Sequence, residues 1–512
     1  MSPSVCGQAT KVQLSTVPAP ERSHTRSSRK LVPGILIVAG LTWIFAIRYG
    51  QSQVFDVSLP LDSPHYQRLK YHCADVPPIS KDEYLTRQTD LAELLHTLGG
   101  KAYIAEPGAN TQFYANFSNT NWRLSERPLL LLISPTVSKS PAGETRVQPQ
   151  MTILTPKFEA TRAKKLPIPT VDGLPVKYAK WAEEENPYSV ALSPYGCSAS
   201  APSHARDPEG GIIFVDDNVR KFIDDGLKHA RPDTIQVLTA VPAITAMRER
   251  KSAAEIKILK CANEATLLAV REVHKQLYPG IRESQARSAV ASILGAAGLM
   301  NGGCLTLFGE NAALPHGSGT DRTLAESDFA LFDCTASLHG YWSDVTRTVS
   351  LGPSHLSAHQ REIWEQVYAA QGVALSVARN GTRTGLVDES VRKMLLGVGY
   401  GQYFTHRLGH GIGLEVHEHP YLRGGNNQII EIGHTFSNEP GIYIEGEGKQ
   451  FVSMCIVIWR FGSRGKQGII TDSDEDLQVG VRLEDCFYIA ADGKAVLLTE
   501  GVGGQARAPW LP

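Results

Sequence analysis

The sequence predicts an α+β chain with two folded domains, the second the larger, behind one N-terminal apolar segment. Three observations carry that expectation. At 512 residues the chain is too long for one ordinary core. A charge-free apolar run stands at Leu31 to Ile47, with basic residues before it. Near Met247 the pattern changes from short apolar runs between turns to a long helical repeat, then to strands that carry histidines and carboxylates.

Composition narrows the function classes. Lys plus Arg is 51 and Asp plus Glu is 52, so no basic excess points to a nucleic-acid partner. The eight cysteines are scattered without a CxxC pair, which excludes a zinc ribbon and a dense disulfide framework. Most are expected as buried free thiols, and a Cys73–Cys197 bridge stays open as a reading that spacing does not decide.

Residues 1–30 form a polar, basic tail, and 31–48 read as a signal-anchor at the short limit for a membrane span. Arg22, Arg26, Arg29 and Lys30 precede the run and Arg48 alone follows it. That asymmetry predicts a single-pass membrane protein with a cytosolic N-terminus and a lumenal or extracellular body. A cleaved signal peptide is the competing reading, against which stand the long polar leader and the lack of a clean cleavage site. The sequons at Asn116 and Asn380 agree with a lumenal body but are about as many as chance supplies.

The first domain is expected over 51–245. Ser80 and Glu83 make a capping box, Leu91, Leu94, Leu95 and Leu98 belong to an apolar face, and Gly99-Gly100 stops the helix. Strand-like runs follow at Ala102–Ala105, Leu129–Ser134, Met151–Leu154 and Gly211–Val215. This is an α/β pattern without a nucleotide-binding glycine loop. The second domain is expected over 247–512. It opens on a helix from Glu255 to Leu277 closed by Pro279-Gly280, and a second helix starts at Glu283.

Chemistry concentrates in this second domain. Residues 328–351 read as a hairpin turning at His339-Gly340, with Asp333 and Asp344 on opposite arms among apolar neighbours. Buried carboxylates brought together repel unless paired or bound to a cation. The plain alternative is an ion pair of Asp344 with Arg347. His406, His410 and His417 crowd a glycine-rich stretch, which suits metal ligation or proton transfer. Glu439 precedes a Pro-Gly turn, and Arg482 and Glu484 are expected to face the same way along one strand. Singly, each carboxylate reads as a surface or ion-paired group.

Taken in order, the set resembles the pita-bread metallopeptidases: an Asp, a second Asp eleven residues on, a glycine-flanked His, a Glu in an EPG turn and a Glu in an R-x-E-D strand. Asn311-Ala-Ala-Leu-Pro-His316-Gly and Ser343-Asp-Val-Thr-Arg-Thr348 extend the match, which covers roughly 247–500. The segment around Asn110 to Pro128 resembles the creatinase/prolidase N-terminal domain and points to the proline-directed branch, Xaa-Pro aminopeptidases and prolidases. The resemblance implies a pita-bread catalytic domain holding two divalent ions, with manganese favoured by a mostly oxygen ligand set. It implies Asp333 on one ion, Asp344 and Glu484 between the two, and His410 and Glu439 completing the other. Glu439 would also shuttle a proton, His316 and His417 would bind the substrate carbonyl and oxyanion, His406 would line the pocket, and Arg482 would orient a ligand carboxylate. It implies a proline-containing peptide as substrate and a homodimer. A metal-free creatinase-like hydrolase and a catalytically dead binding relative are the alternatives, and the full ligand set weighs against both.

One stretch departs from the pattern. Between Gly448 and Gly480, an apolar run (Met454 to Trp459) is followed by basic and then acidic residues. It reads either as a real loop or as translated intron over Lys449 to about Gln478. Lying between two expected ligands, it threatens the placement of Glu484.

Overall fold

The fold is described from a computed structural model, over residues 69–139, 144–195, 211–231, 233–446 and 478–512. Residues 31–48, expected to span a membrane, lie outside these. Among the described residues no helix is long and apolar enough to cross a membrane. The single-pass placement, with its cytosolic N-terminus and lumenal or extracellular body, is corrected accordingly.

Helix α1 spans Lys81–Thr97 and starts where the sequence predicts, with the Ser80 hydroxyl accepting from the Glu83 N–H at 3.2 Å. It ends before Gly99, whose φ of +70° is a left-handed value that a side chain would strain. Strands β1 (Gly100–Ala105), β2 (Leu130–Lys139), β3 (Thr145–Pro156), β4 (Lys177–Trp181), β5 (Gly211–Val215) and β6 (Ile235–Thr239) form one sheet in the order β4-β3-β2-β1-β5-β6. All four expected runs are strands of it. The pairs β1/β2 and β2/β3 are antiparallel and the others parallel, so helices pack against its faces.

Helices α2 (Ala253–His274) and α3 (Glu283–Ala296) open the second half. Ser252 and Glu255 form a full capping box on α2. Strands β7 (Met300–Phe308), β8 (Ala330–Leu338) and β9 (Tyr341–Val349) make an antiparallel sheet. The β8–β9 hairpin turns at His339-Gly340, both at positive φ, as a tight two-residue loop demands. Helices α4 (Ala358–Val377) and α5 (Thr384–Gly397) come next, where the sequence suggested strands alone. Strands β10 (Gly409–Gly411), β11 (Glu418–Leu422), β12 (Thr435–Asn438), β13 (Gly441–Glu445), β14 (Gln478–Arg482), β15 (Asp485–Ile489) and β16 (Ala495–Leu497) complete the fold. They form a sheet in the order β11-β10-β12-β15-β16 and a separate β13–β14 ribbon.

Two further expectations change. Arg482 ends β14 and Asp485 begins β15, so Arg482 and Glu484 do not share one strand. Cys73 pairs with Cys261 and Cys304 with Cys334, while Cys197 lies outside the described residues. Cys486 stays a buried free thiol.

The two halves meet on a buried polar joint. Arg87 of α1 pairs with Glu83 and, at 3.3 Å, with Glu255 of α2, which also accepts from the Tyr341 hydroxyl at 2.9 Å. The Cys73–Cys261 bridge ties the segment before α1 to α2.

Candidate metal centre

The hairpin register builds the first part of the site. Asp333 faces Thr346 and Asp344 faces Thr335, so the two aspartates are diagonal neighbours on one face. Asp344 does not pair with Arg347. In a strand, positions three apart point to opposite faces, and Arg347 instead donates to Asp485 at 2.8 Å. His410 on β10 and Glu439, just past β12, close in from the second sheet, with His410 Nε2 3.2 Å from Glu439 and 3.7 Å from Asp344. Glu484, in the break between β14 and β15, accepts from the Thr346 hydroxyl at 2.7 Å.

Ligand atoms of three overlapping groups lie within 4.8 Å of one another: Asp333, Asp344 and Glu484; His410, Glu439 and Glu484; and Asp344, His410 and His417. Asp344 Oδ1 and Glu484 Oε1 are buried without a hydrogen-bond partner. Burial first, then the neighbouring carboxylates, pushes Asp344 and Glu484 well above the usual carboxylate range. Burial raises Glu439 too, but the hydrogen bond and charge of His410 outweigh it and hold the group at about 2. His410 Nδ1 lies 3.0 Å from the Gly411 carbonyl, so donation there would hold the ring in place and free an Nε2 lone pair once a cation displaces the proton shared with Glu439. Four crowded carboxylates, two orphaned oxygens and an imidazole lone pair fit divalent cations.

Arg482 binds the rim of this cluster. Its Nη2 donates to Asp333 at 2.7 Å, its Nε to the Thr346 hydroxyl at 3.2 Å, and its Nη1 to the Pro315 carbonyl at 3.2 Å. The last contact tethers the loop that presents exposed His316. Tyr443, not among the expected site residues, accepts from Arg482 Nη1 and meets His406 Nε2, each at 2.9 Å. His406 is lowered by burial, and His417 falls to about 4 through burial and the charges of His410 and Arg407. Both rings are therefore neutral near pH 7. The His417 ring meets His410 edge-on at 4.3 Å. All nine expected site residues thus stand in or around one cluster, although His316 shows no direct contact with it.

Residues 257–491 match the model of metallopeptidase family M24. An uncharacterised peptidase of Schizosaccharomyces pombe is 36% identical over 397 residues, covering 74% of this chain and 83% of its own. A Xaa-Pro dipeptidase of Lactobacillus delbrueckii subsp. lactis is 33% identical over 291 residues, covering 56% of this chain and 69% of its own. Among solved structures, the dipeptidase PepE of Mycobacterium ulcerans superposes with a TM-score of 0.65 at 25% identity, over 82% of this chain and 97% of that one. The prolidase of Pyrococcus horikoshii OT3 gives 0.61 at 23% identity, over 83% and 99%, and so speaks to the fold alone.

Proposed function

The chain belongs to metallopeptidase family M24, in its prolidase branch, and on that premise we propose that it hydrolyses the bond between an N-terminal residue and proline. The observation that carries this reading is the convergence of Asp333, Asp344, His410, Glu439 and Glu484 around two orphaned carboxylate oxygens. These five residues would hold two divalent ions, which when bound supply Lewis-acid polarisation of the carbonyl and a water acidified toward neutrality. Manganese suits a set of four carboxylates and one imidazole.

The chain's own groups then divide the work. Glu439 is ionised at neutral pH and is placed to accept the proton of the attacking water and pass it to the leaving nitrogen. Neutral His417, together with His316 on the opposite loop, supplies hydrogen-bond donors for the substrate carbonyl and the oxyanion that develops there. His406, held by Tyr443, would line the substrate pocket. Arg482 fixes Asp333 and, through Thr346, Glu484. A bond to proline lacks an N–H, so this site has no donor to read there and must recognise the ring instead. The metal-free hydrolase reading leaves Asp344 Oδ1 and Glu484 Oε1 buried without a partner. The dead-relative reading loses its ground because Glu484 is seated in the cluster. A homodimer remains an expectation from resemblance.

The test is release of proline from a Xaa-Pro dipeptide, and of the first residue from a longer Xaa-Pro peptide, by the full chain with added manganese or chelator. Metal-dependent cleavage is expected, with Asp344→Asn reducing kcat/KM by about 10³-fold or more. Cleavage that persists through exhaustive chelation would overturn the two-ion reading.

A further inference from the structure

His417 poses a problem of support. Its residue is exposed, and among the described residues no hydrogen bond holds its ring, which only touches His410 edge-on at 4.3 Å. Its orientation must therefore come from the backbone of the turn 413–418. That turn is wrapped around one buried carboxylate, Glu418, its last residue and the one after His417. Glu418 Oε2 accepts from the Glu415 N–H at 3.3 Å, and Gly413 N–H donates to the Glu415 carbonyl at 3.0 Å. A Cβ on Gly413 would lie 2.7 Å from both Glu418 Oε1 and Lys251 Cε, so the pair packs directly on the loop backbone.

The partner of Glu418 comes from far away in sequence. Lys251, in the link between the helix Pro242–Glu249 and α2, is 1% exposed at its side chain, and Glu418 is 2% exposed. Lys251 Nζ binds Glu418 Oε1 and spends its other donors on the carbonyls of Arg248 at 2.9 Å and Glu249 at 3.2 Å. Arg248 Nη2 stands 3.6 Å from Glu418 Oε2 and also binds Glu415. A charge pair this deeply buried contributes little net stability, whereas breaking one side of it is costly. What it supplies here is a fixed point, joining the start of the second domain to the histidine turn.

We propose that Lys251 and Glu418 are positioning residues that set the reach of His417 toward the substrate. The inference rests on the role given to His417 above. It is separable from that role because it concerns the geometry of the ring as well as turnover.

The experiment is a double-mutant cycle of Lys251→Met with His417→Ala on Xaa-Pro hydrolysis by the full chain, with bound metal counted in every variant. The expected result is a loss in kcat/KM of about 10- to 100-fold from Lys251→Met alone, falling mainly on kcat, with metal content unchanged. In the His417→Ala background the same substitution is expected to cost less than about threefold, because the two act through one step. Equal losses in both backgrounds, or a loss that tracks lost metal, would sink the proposal. Should Lys251→Met fail to fold, Glu418→Gln, which keeps the shape but drops the charge, takes its place in the cycle. A wild-type chain inert toward Xaa-Pro peptides would refute the proposed function instead. The positioning would then be judged by a crystal structure of the Lys251→Met chain. A His417 ring displaced from His410 supports it, and an unmoved ring overturns it.

Discussion

The Tyr443 hydroxyl stands between two groups that need it for different reasons. His406 Nδ1 meets the Arg407 carbonyl at 2.7 Å, so Nδ1 carries the proton and Nε2 accepts from Tyr443. Burial pushes the phenol up to about 12, against the pull of Arg482, and it keeps its proton at working pH. Tyr443→Phe is expected to leave the metal count intact, to lower kcat/KM by about 10- to 100-fold and to destabilise the fold by about 1–2 kcal/mol. Steady-state kinetics beside a thermal melt would check both. The members of the cluster were legible in sequence because a buried carboxylate needs an answer, and several in a fixed order needed one answer together. Tyr443 was not, since a tyrosine on a strand reads as core until β13 folds over the cluster and gives its hydroxyl partners. Nor was Thr346, although strand alternation already set it beside Asp344 and set Arg347 away from it.

His434 offers a second test at this scale, outside the carboxylate cluster. Burial, then the charges of Lys251 and Arg250, lowers it to about 4. Above about pH 6.5 the ring is neutral in both folded and unfolded chains and pH changes nothing. As pH falls from there, the unfolded chain takes up a proton that the folded one refuses, so stability falls until the folded ring titrates near 4. The full loss is about 3 kcal/mol. In the metal-loaded protein, His434→Asn should flatten that part of the stability–pH curve. An unchanged acid slope would show that His434 is not a source of it.

At the scale of elements, the β13–β14 ribbon decides how residues 447–477 bear on the site. Gly441 to Glu445 pair in register with Arg482 to Gln478, ending on Glu445 opposite Gln478. The ends of the segment are thus held side by side by the ribbon itself, and Glu484 keeps its place beyond it. The segment, outside the described residues, is attached at a hairpin tip. Removing 449–476 leaves Gly446, Glu447, Gly448 and Leu477 as a four-residue loop, an ordinary hairpin length. Gly446 already holds a φ of +80°. The shortened chain is expected to keep its metal content and its kcat/KM within about threefold, since no ribbon pair is touched. A loss above tenfold would show that the segment contributes to the substrate site. The odd composition here was visible in the sequence; the register that makes it separable was not, because pairing across such a gap is a long-range fact. Helices α4 and α5 were not legible either, since Val373, Val377, Val387 and Val391 are β-branched residues that suit strands, and packing decides between the two.

For the whole molecule, the α/β-then-mixed order of elements could be read from the change of pattern near Met247, whereas the membrane placement could not be sustained from an apolar run alone. What only the assembled fold reveals is a conflict at its centre. Folding gathers Asp333, Asp344, Glu439 and Glu484 from strands of three sheets or the breaks beside them, and in the absence of cations the repulsion is relieved by protons on Asp344 and Glu484. Both groups are raised above their unfolded values. The ion-free fold is therefore favoured at low pH and loses stability as pH climbs through and beyond the ordinary carboxylate range, because the folded chain must give up protons it prefers to hold. Divalent ions replace those protons, so they bind more tightly as pH rises and stabilise only the folded chain. The gain in Tm on adding manganese to the chelated protein should accordingly be small near pH 5 and grow toward pH 8. The stabilisation free energy behind it should amount to about 3 kcal/mol per ion once that ion exceeds its Kd a hundredfold. Asp344→Asn should shrink that gain and weaken its pH dependence, since one of the two competing carboxyls is gone. A gain independent of pH in the wild type would mean that the ions sit elsewhere.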